Sequence, residues 1–239
     1  MKFDDLDGVL LLDKEPGMTS HDVVAMVRRK LSIKRVGHCG TLDPMATGLL
    51  IVVLGRATKI QDLLMAEDKE YLGAMHLGVT TDSQDAEGEI LETRLVLDFS
   101  REELEAAFHA FRGDFYQTPP MVSAIKKDGV PLYKMARKGQ VVAREPRFVH
   151  VFAHEIQSVE MPRIFFRVVC SKGFYVRTYA HDIGEKLGCG AHLCQLRRTW
   201  SGRFSVEKAL SIADLRSLPP EQIAQRVLDL PTVSRLRGA

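Results

Sequence analysis

The feature that most constrains this chain is an abrupt change of character at residue 49. The stretch before it, Gly37-His-Cys-Gly-Thr-Leu-Asp-Pro-Met-Ala-Thr-Gly48, holds three glycines and one proline and shows no apolar period. No regular helix or strand fits it. Directly after it, Leu49-Leu-Ile-Val-Val-Leu54 is an unbroken apolar run, the pattern of a buried segment. The loop is therefore tied to the core at its C-terminal end. Asp43 is its one acid. Proline at the next position suits the first residue of a short helical turn, which would make Asp43 an N-cap beside free backbone N–H groups that favour the ionised carboxylate. An unprotonated carboxylate, on a loop whose glycines permit close approach, has what a nucleophile or a proton acceptor requires. The dipeptide Asp43-Pro44 alone reads first as a plain turn with no chemistry.

A chain of 239 residues with 45% hydrophobic side chains can bury a large core. Its 33 basic and 31 acidic side chains give a net charge of +2, which names no partner. Placement says more. Bases gather at Arg28, Arg29 and Lys30 with Lys34 and Arg35, at Lys126 and Lys127 with Lys134, Arg137 and Lys138, and at Arg197 and Arg198 with Arg203. Converging, such runs form the footprint of a polyanion; separate, they are solvated faces. The four cysteines contain no Cys-x-x-Cys pair, and Cys189, His192 and Cys194 raise zinc without a second ligand pair at finger or ribbon spacing. Reduced cytosolic thiols and no metal are expected. The N-terminal residues fit neither a signal peptide nor a membrane span.

In chain order, Gly8-Val-Leu-Leu-Leu-Asp13 reads as a short buried strand and Pro16-Gly17 as a turn. Thr19 or Ser20 caps a helix with Val23, Met26 or Val27, and Leu31 on one face. Residues 56–65 have helical spacing, and residues 71–79 alternate as a strand that contains His76, a packing or surface residue. Residues 82–88 superficially resemble a calcium loop, but the acids fall at the wrong intervals, so a polar hairpin connection is expected. Ser100 and Glu103 form a capping box for a helix that Gly113 stops. Pro119-Pro120 forces extended backbone. Residues 148–156 and 163–170 form an antiparallel hairpin, Val176, Ala180, Ile183 and Leu187 mark a helix closed by Gly188, and residues 190–199 form one more strand. Two short helical patterns follow, Ser211 capping one.

The stretch from Lys34 through Gly37-His-Cys-Gly-Thr-Leu-Asp-Pro-Met-Ala-Thr-Gly48 to Leu50, continued by Gly55-Arg-Ala-Thr-Lys59, resembles the catalytic motif of the TruB family of tRNA pseudouridine synthases. Two further blocks carry the resemblance: residues 111–139, and Ser171-Lys-Gly-Phe-Tyr-Val-Arg-Thr178. The opening matches as well, except that Pro16 follows Glu15. The resemblance implies an α+β fold with a large mixed, mainly antiparallel β-sheet core flanked by helices. It implies isomerisation of a flipped-out uridine in the T loop of tRNA, at position 55, with Asp43 as nucleophile. Attack at C6, attack at C1′ and a glycal route all stay open. By the same resemblance Tyr71 stacks on the base, Tyr175 and Leu196 shape the uracil pocket, and Arg177 pairs with Asp43; His38, beside Gly37, either contacts the flipped nucleotide or its neighbour or is a loop histidine hydrogen-bonded for shape alone. Lys126, Lys127, Lys134 and Arg137 suit RNA phosphates.

No cofactor is expected, since the isomerisation has no redox step and no nucleotide-binding fingerprint is present. A monomeric cytoplasmic enzyme acting on the T arm is the expectation. The resemblance runs from Gly8 to about Leu218. Many family members continue into a small C-terminal RNA-binding domain of the PUA type, which needs more residues than remain. A single catalytic domain, 1–239, is therefore expected, with 205–239 a short helical tail and no complete PUA domain. Two other classes stay open: an RNA-binding module in which Asp43 is only a cap, and a nucleoside hydrolase or glycosidase, which lacks the usual second carboxylate.

Overall fold

The computed structural model describes residues 6–123, 126–127, 129–132, 135, 140 and 142–238. They form two compact units, one made of residues 1–71 and 197–239, the other of residues 72–196.

The first unit opens with strand β1 (Gly8–Lys14), helix α1 (Ser20–Leu31), β2 (Val36–Cys39) and β3 (Thr47–Leu54). The apolar run is the reason β3 lies at the centre. Every residue from Gly48 to Leu54 is buried, and its six large side chains contribute roughly 1.5–3 kcal/mol each as an upper estimate. On one edge β1 pairs antiparallel along its whole length, Gly8 opposite Leu54 and Lys14 opposite Gly48. The other edge is shared. There β2 takes Ile51 to Leu54, whereas β12 (Ala191–Ser201) runs parallel beside Thr47 and Gly48. The segment 40–46 leaves the sheet where one neighbour gives way to the other.

Helix α1 starts as its sequence dictates. The Thr19 hydroxyl accepts from the Asp22 N–H at 3.1 Å and the Asp22 carboxylate accepts from the Thr19 N–H at 2.8 Å, a reciprocal cap. The helix buries Val23, Val24, Val27 and Leu31. After β3 the helical spacing resolves into a 3₁₀ turn (Gly55–Ile60) and a short α2 (Gln61–Met65). Strand β4 (Lys69–Leu77) then leaves the unit. Beyond β12 come β13 (Phe204–Ser205), β14 (Leu210–Ser211), and helices α5 (Ile212–Ser217), α6 (Pro220–Ala224) and α7 (Leu230–Arg237). Ser211 caps α5, as predicted; α7, capped by Asp229, places Val233 in the core with Val9, Ile51 and Phe204.

The second unit continues from β4 into β5 (Val79–Thr81) and β6 (Ile90–Thr93), an antiparallel pair joined by the polar segment 82–88. Helix α3 (Arg101–His109) carries the Ser100–Glu103 capping box, but it ends before Gly113, and Phe111 lies outside it. Strand β7 (Gly113–Gln117) follows, then the two-residue strands β8 (Lys126–Lys127) and β9 (Val130–Pro131). Strands β10 (Arg147–Glu160) and β11 (Arg163–Cys170) make the predicted hairpin, Glu160 opposite Arg163, and β7 pairs with β10. Helix α4 (Val176–Lys186) brings Tyr179 edge-on to Phe108 and Phe166, both ring centroids 5.9 Å away. The main sheet is ten-stranded, in the order β14–β1–β3–β12–β4–β11–β10–β7 with β2 joined to β3 and β13 to β12. It is mixed and mainly antiparallel, and helices flank it, as expected.

Candidate active site

In the first unit the backbone of the Asp43 loop is held by a set of hydrogen bonds. The Ala46 N–H donates to the Asp43 carbonyl at 3.1 Å, which closes a four-residue turn with aspartate first and proline second. This corrects the expected helical turn: Thr47 already belongs to β3, so the chain has no length for a helix after Pro44. Asp43 itself is half-buried. The hydroxyl of Ser20, buried at the start of α1, accepts from the Leu42 N–H at 2.9 Å and donates to the Leu42 carbonyl at 3.1 Å. The Gly17 N–H donates to the Pro44 carbonyl at 2.9 Å.

Two buried cations complete the support. Lys14, only 1% exposed, donates from Nζ to the carbonyls of Ala46 at 2.6 Å, Glu15 at 2.9 Å and Pro44 at 3.1 Å. Arg198, also 1% exposed, donates from Nε to the Leu49 carbonyl at 2.7 Å and from Nη2 to the Gly40 carbonyl at 3.1 Å. The register places Lys14 on one side of Gly48 and Arg198 on the other. Gly48 is required there. Its φ is +97°, and a Cβ would stand 2.3 Å from the Arg198 carbonyl oxygen. The neighbouring Arg197 binds Asp13 through both guanidinium ends, at 2.7 and 3.0 Å. The pair Arg197-Arg198, read from sequence as part of a polyanion footprint, thus serves internal bonds instead.

His38 sits in β2 opposite Val52, its ring edge-on to His21 at 5.3 Å. Burial pushes its imidazole down to about 4, with His21 and Arg198 adding to the shift. It is neutral at physiological pH, and its buried Nδ1 has no hydrogen-bond partner. Burial drives the adjacent Cys39 thiol up to about 12, which removes it as a nucleophile. Tyr71, 9% exposed, lies early in β4.

In the second unit, Tyr175 is the residue that precedes α4. Its N–H donates to the Gln117 side-chain oxygen at 2.8 Å and its carbonyl accepts from the same amide at 3.1 Å. A buried glutamine thus fixes the backbone of the half-buried tyrosine. Arg177, 3% exposed, donates from Nη1 to the Ser83 carbonyl at 3.0 Å and from Nη2 to the Val122 carbonyl at 2.8 Å. It also stands 3.4 Å from the buried Asp85 carboxylate. Asp85 in turn accepts from the Ser83 hydroxyl at 2.6 Å and the Glu87 N–H at 3.0 Å. Leu196, 8% exposed, lies in β12.

Sequence reasoning missed three of these groups. Lys14 was given no role of its own, Arg198 was read within a basic run, and Asp85 as part of a polar hairpin connection. The available signal was a charged residue placed directly beside a buried strand. Of the basic cluster, Lys126 and Lys127 form β8 and pair with Pro131 and Val130. Tyr133, Lys134 and Arg137 fall outside the described residues, as do the side chains of Lys126 and Lys127. His76 stacks on His192 at 5.4 Å, a packing histidine as read. Among the described residues, no group of three or more His, Cys, Asp or Glu could hold a metal ion.

The fold is shared with solved pseudouridine synthases, which defines the class of enzyme, an isomerase. The chain is 30% identical to the matched chain of a crystallised Cbf5–Nop10–Gar1 complex, with a TM-score of 0.76 over 98% of this chain and 63% of that one. An H/ACA ribonucleoprotein bound to a substrate RNA containing 2′-deoxyuridine matches at 31% identity and a TM-score of 0.65, covering 87% of this chain and 51% of that one. Within the class the family is specific. Residues 28–176 match the TruB family pseudouridylate synthase N-terminal domain, and residues 177–230 match the tRNA pseudouridylate synthase B C-terminal domain. A tRNA pseudouridine synthase B from Opitutus terrae is 56% identical over 94% of this chain and 93% of its own length. Its counterpart from Syntrophotalea carbinolica is 47% identical over 96% and 75%. The chain belongs to the TruB family.

Proposed function

We propose that this protein converts a uridine of tRNA to pseudouridine, the target being position 55 in the T loop, with Asp43 as the nucleophile. The observation that carries this reading is the seat of Asp43. Its carboxylate is carried on a turn whose two arms are fixed at 2.6–3.1 Å by buried cations, so the backbone beneath it is held before substrate arrives. The family membership and the tRNA-acting relatives support the substrate.

The reaction needs no exchange with a second molecule. The N1–C1′ bond breaks, a C5–C1′ bond forms, the proton on C5 leaves and N1 gains one. Asp43 attacks C6 or C1′, or starts a glycal route by removing a proton. The target leaves its stack first, at a cost of about a few kcal/mol that a loop nucleotide lowers. Stacking on Tyr71 offsets that cost by roughly 1–3 kcal/mol. Tyr175 and Leu196 border the uracil, and Arg177 is the guanidinium assigned to the Asp43 carboxylate, where a planar fork sets orientation as well as charge. A neutral His38 suits contact with the flipped nucleotide or its neighbour, since it brings no net charge to the loop. Lys126, Lys127, Lys134 and Arg137 are assigned to the RNA backbone. The cytoplasm, where tRNA is processed, is the proposed compartment; no helix among the described residues is long and apolar enough to cross a membrane.

The test uses T-arm RNA tritiated at uracil C5, incubated with wild type and with Asp43→Asn. Tritium release by the wild type and none by the variant is the expected result. Release that survives the substitution removes the nucleophile assignment. No release from either protein favours an RNA-binding module, and free uracil in place of pseudouridine favours a hydrolase.

A further inference from the structure

We infer that Arg198 is a positioning residue for Asp43, acting through the backbone of both arms of its loop. The inference rests on the reading of Asp43 given above. Asp43 lies between Gly40 and Leu49, and the carbonyls of both are held by the same guanidinium, Gly40 by Nη2 and Leu49 by Nε. A guanidinium is planar and rigid, so these two bonds fix the separation of the arms and not merely the place of each. A lysine ammonium is a single point and sets no such separation.

The setting argues against a role in stability alone. A buried cation is a poor investment for a core, and an apolar side chain of similar volume commonly serves stability as well or better. The neighbouring arginine takes the available acid: Asp13 bonds to the half-exposed Arg197, whereas the hydrogen bonds of the fully buried Arg198 go to carbonyls. The chain backbone bends to make this possible. Gly48, with positive φ and no Cβ, lets the Arg198 backbone approach to contact, and Gly40, at φ +88°, turns its carbonyl within reach of the fork. The charge also extends along the loop, since it is one of the three causes that depress the His38 imidazole. His38 is therefore a reporter of whether the Arg198 charge is in place.

The experiment uses the full chain carrying Arg198→Lys or Arg198→Ala, with Asp43→Asn as control. It follows single-turnover pseudouridine formation on saturating T-arm RNA, RNA affinity, thermal unfolding and the His38 NMR titration. Arg198→Lys keeps charge and loses the fork; its single-turnover rate is expected to fall about 100-fold, the scale of a small misplacement of a reacting group. RNA affinity is expected to stay within about threefold, which separates an effect on chemistry from one on binding. Arg198→Ala is expected to lose more rate, to recover part of it with added ethylguanidinium, and to show His38 titrating at higher pH. In Arg198→Lys the His38 titration is expected to stay near its wild-type position. Wild-type rates in folded variants, a loss confined to RNA affinity, or failure of both variants to fold would each overturn the inference. An active Asp43→Asn sinks the underlying reading, whereas an inactive one beside fully active Arg198 variants sinks this inference alone.

Discussion

The Asp43 loop and the Arg177 site solve the same problem in opposite ways. Each must keep a functional side chain still. Around Asp43 the structure places cations against backbone carbonyls: Lys14 and Arg198 hold Pro44, Ala46, Gly40 and Leu49. Around Arg177 it places an acid against the cation, with Asp85 at 3.4 Å and Ser83 and Val122 supplying carbonyls. The bonds described for the first arrangement go to neutral acceptors, whereas those of the second include a carboxylate. Losing a support therefore costs differently: a carbonyl left alone is a modest loss, while a buried guanidinium deprived of its acid is a large one.

That contrast sets the order of the expected effects. Asp85→Ala leaves Arg177 buried without this carboxylate and frees the Ser83 hydroxyl and the Glu87 N–H. Urea unfolding is expected to show a loss of about 3 kcal/mol, at the lower end for a broken buried pair. A loss under about 1 kcal/mol, the range of an exposed pair, would mean that the charge is compensated elsewhere and the comparison fails. Lys14→Met comes next. It removes a donor to three carbonyls but leaves no acid stranded by any of those bonds. About 2 kcal/mol is expected, with amide exchange quickening at Ala46 and Gly17 before the core strands open.

How far this was legible follows from the range of the interactions. Strand β1 could be read from its four consecutive apolar residues and the run of six that forms β3 could be read as buried, and the caps at Thr19, Ser100 and Ser211 could be read because they act over three residues. The hairpin of β10 and β11 could be read because alternation and a turn are local too. The Asp43 turn was misread as a helix start because Asp-Pro fits both, and only the proximity of β3 decides between them. The braces could not be read. Lys14 meets Ala46 across 32 residues, and Arg198 meets Gly40 across 158. A lysine or arginine looks like surface until the sheet shows which carbonyls it faces. Arg177 is the instructive intermediate. The resemblance supplied its importance and an acidic partner in Asp43, but Asp85 appears only once the segment 82–88 is folded back onto it.

A half-buried carboxylate sharpens the comparison from the other side. Burial pushes the Asp182 carboxyl in α4 up to about 6, against the opposing pull of His181, with Glu185 adding to the rise. The folded value lies above the ordinary 3.8, so ionisation opposes folding. The penalty is complete above about pH 6 and is relieved as pH falls from 6 towards 4. Asp182→Asn is therefore expected to stabilise the protein by about 1–2 kcal/mol at pH 7.5, after allowance for solvent screening of a partly exposed group. At pH 4 it should leave stability unchanged. A substitution effect equal at both values would show that the carboxyl is not desolvated.

The smallest effect tests whether the Asp43 loop is held by cations alone. Ser20 bonds Leu42 through a single hydroxyl that both accepts and donates, and it is fixed in place because α1 begins there under the Thr19 cap. Ser20→Ala removes both bonds while the helix start, the apolar face and both cations remain. The cost is expected at about 1 kcal/mol, since the exposed partners are a neutral N–H and a neutral carbonyl. If the cations suffice, single-turnover rates with T-arm RNA stay within about twofold of wild type, a change of less than half a kcal/mol in the barrier. A fall of about tenfold or more would mean that 1.4 kcal/mol of transition-state stabilisation passes through a hydroxyl. In that case the loop is positioned by its contact with α1 as much as by charge, and the two sites differ less than their supports suggest.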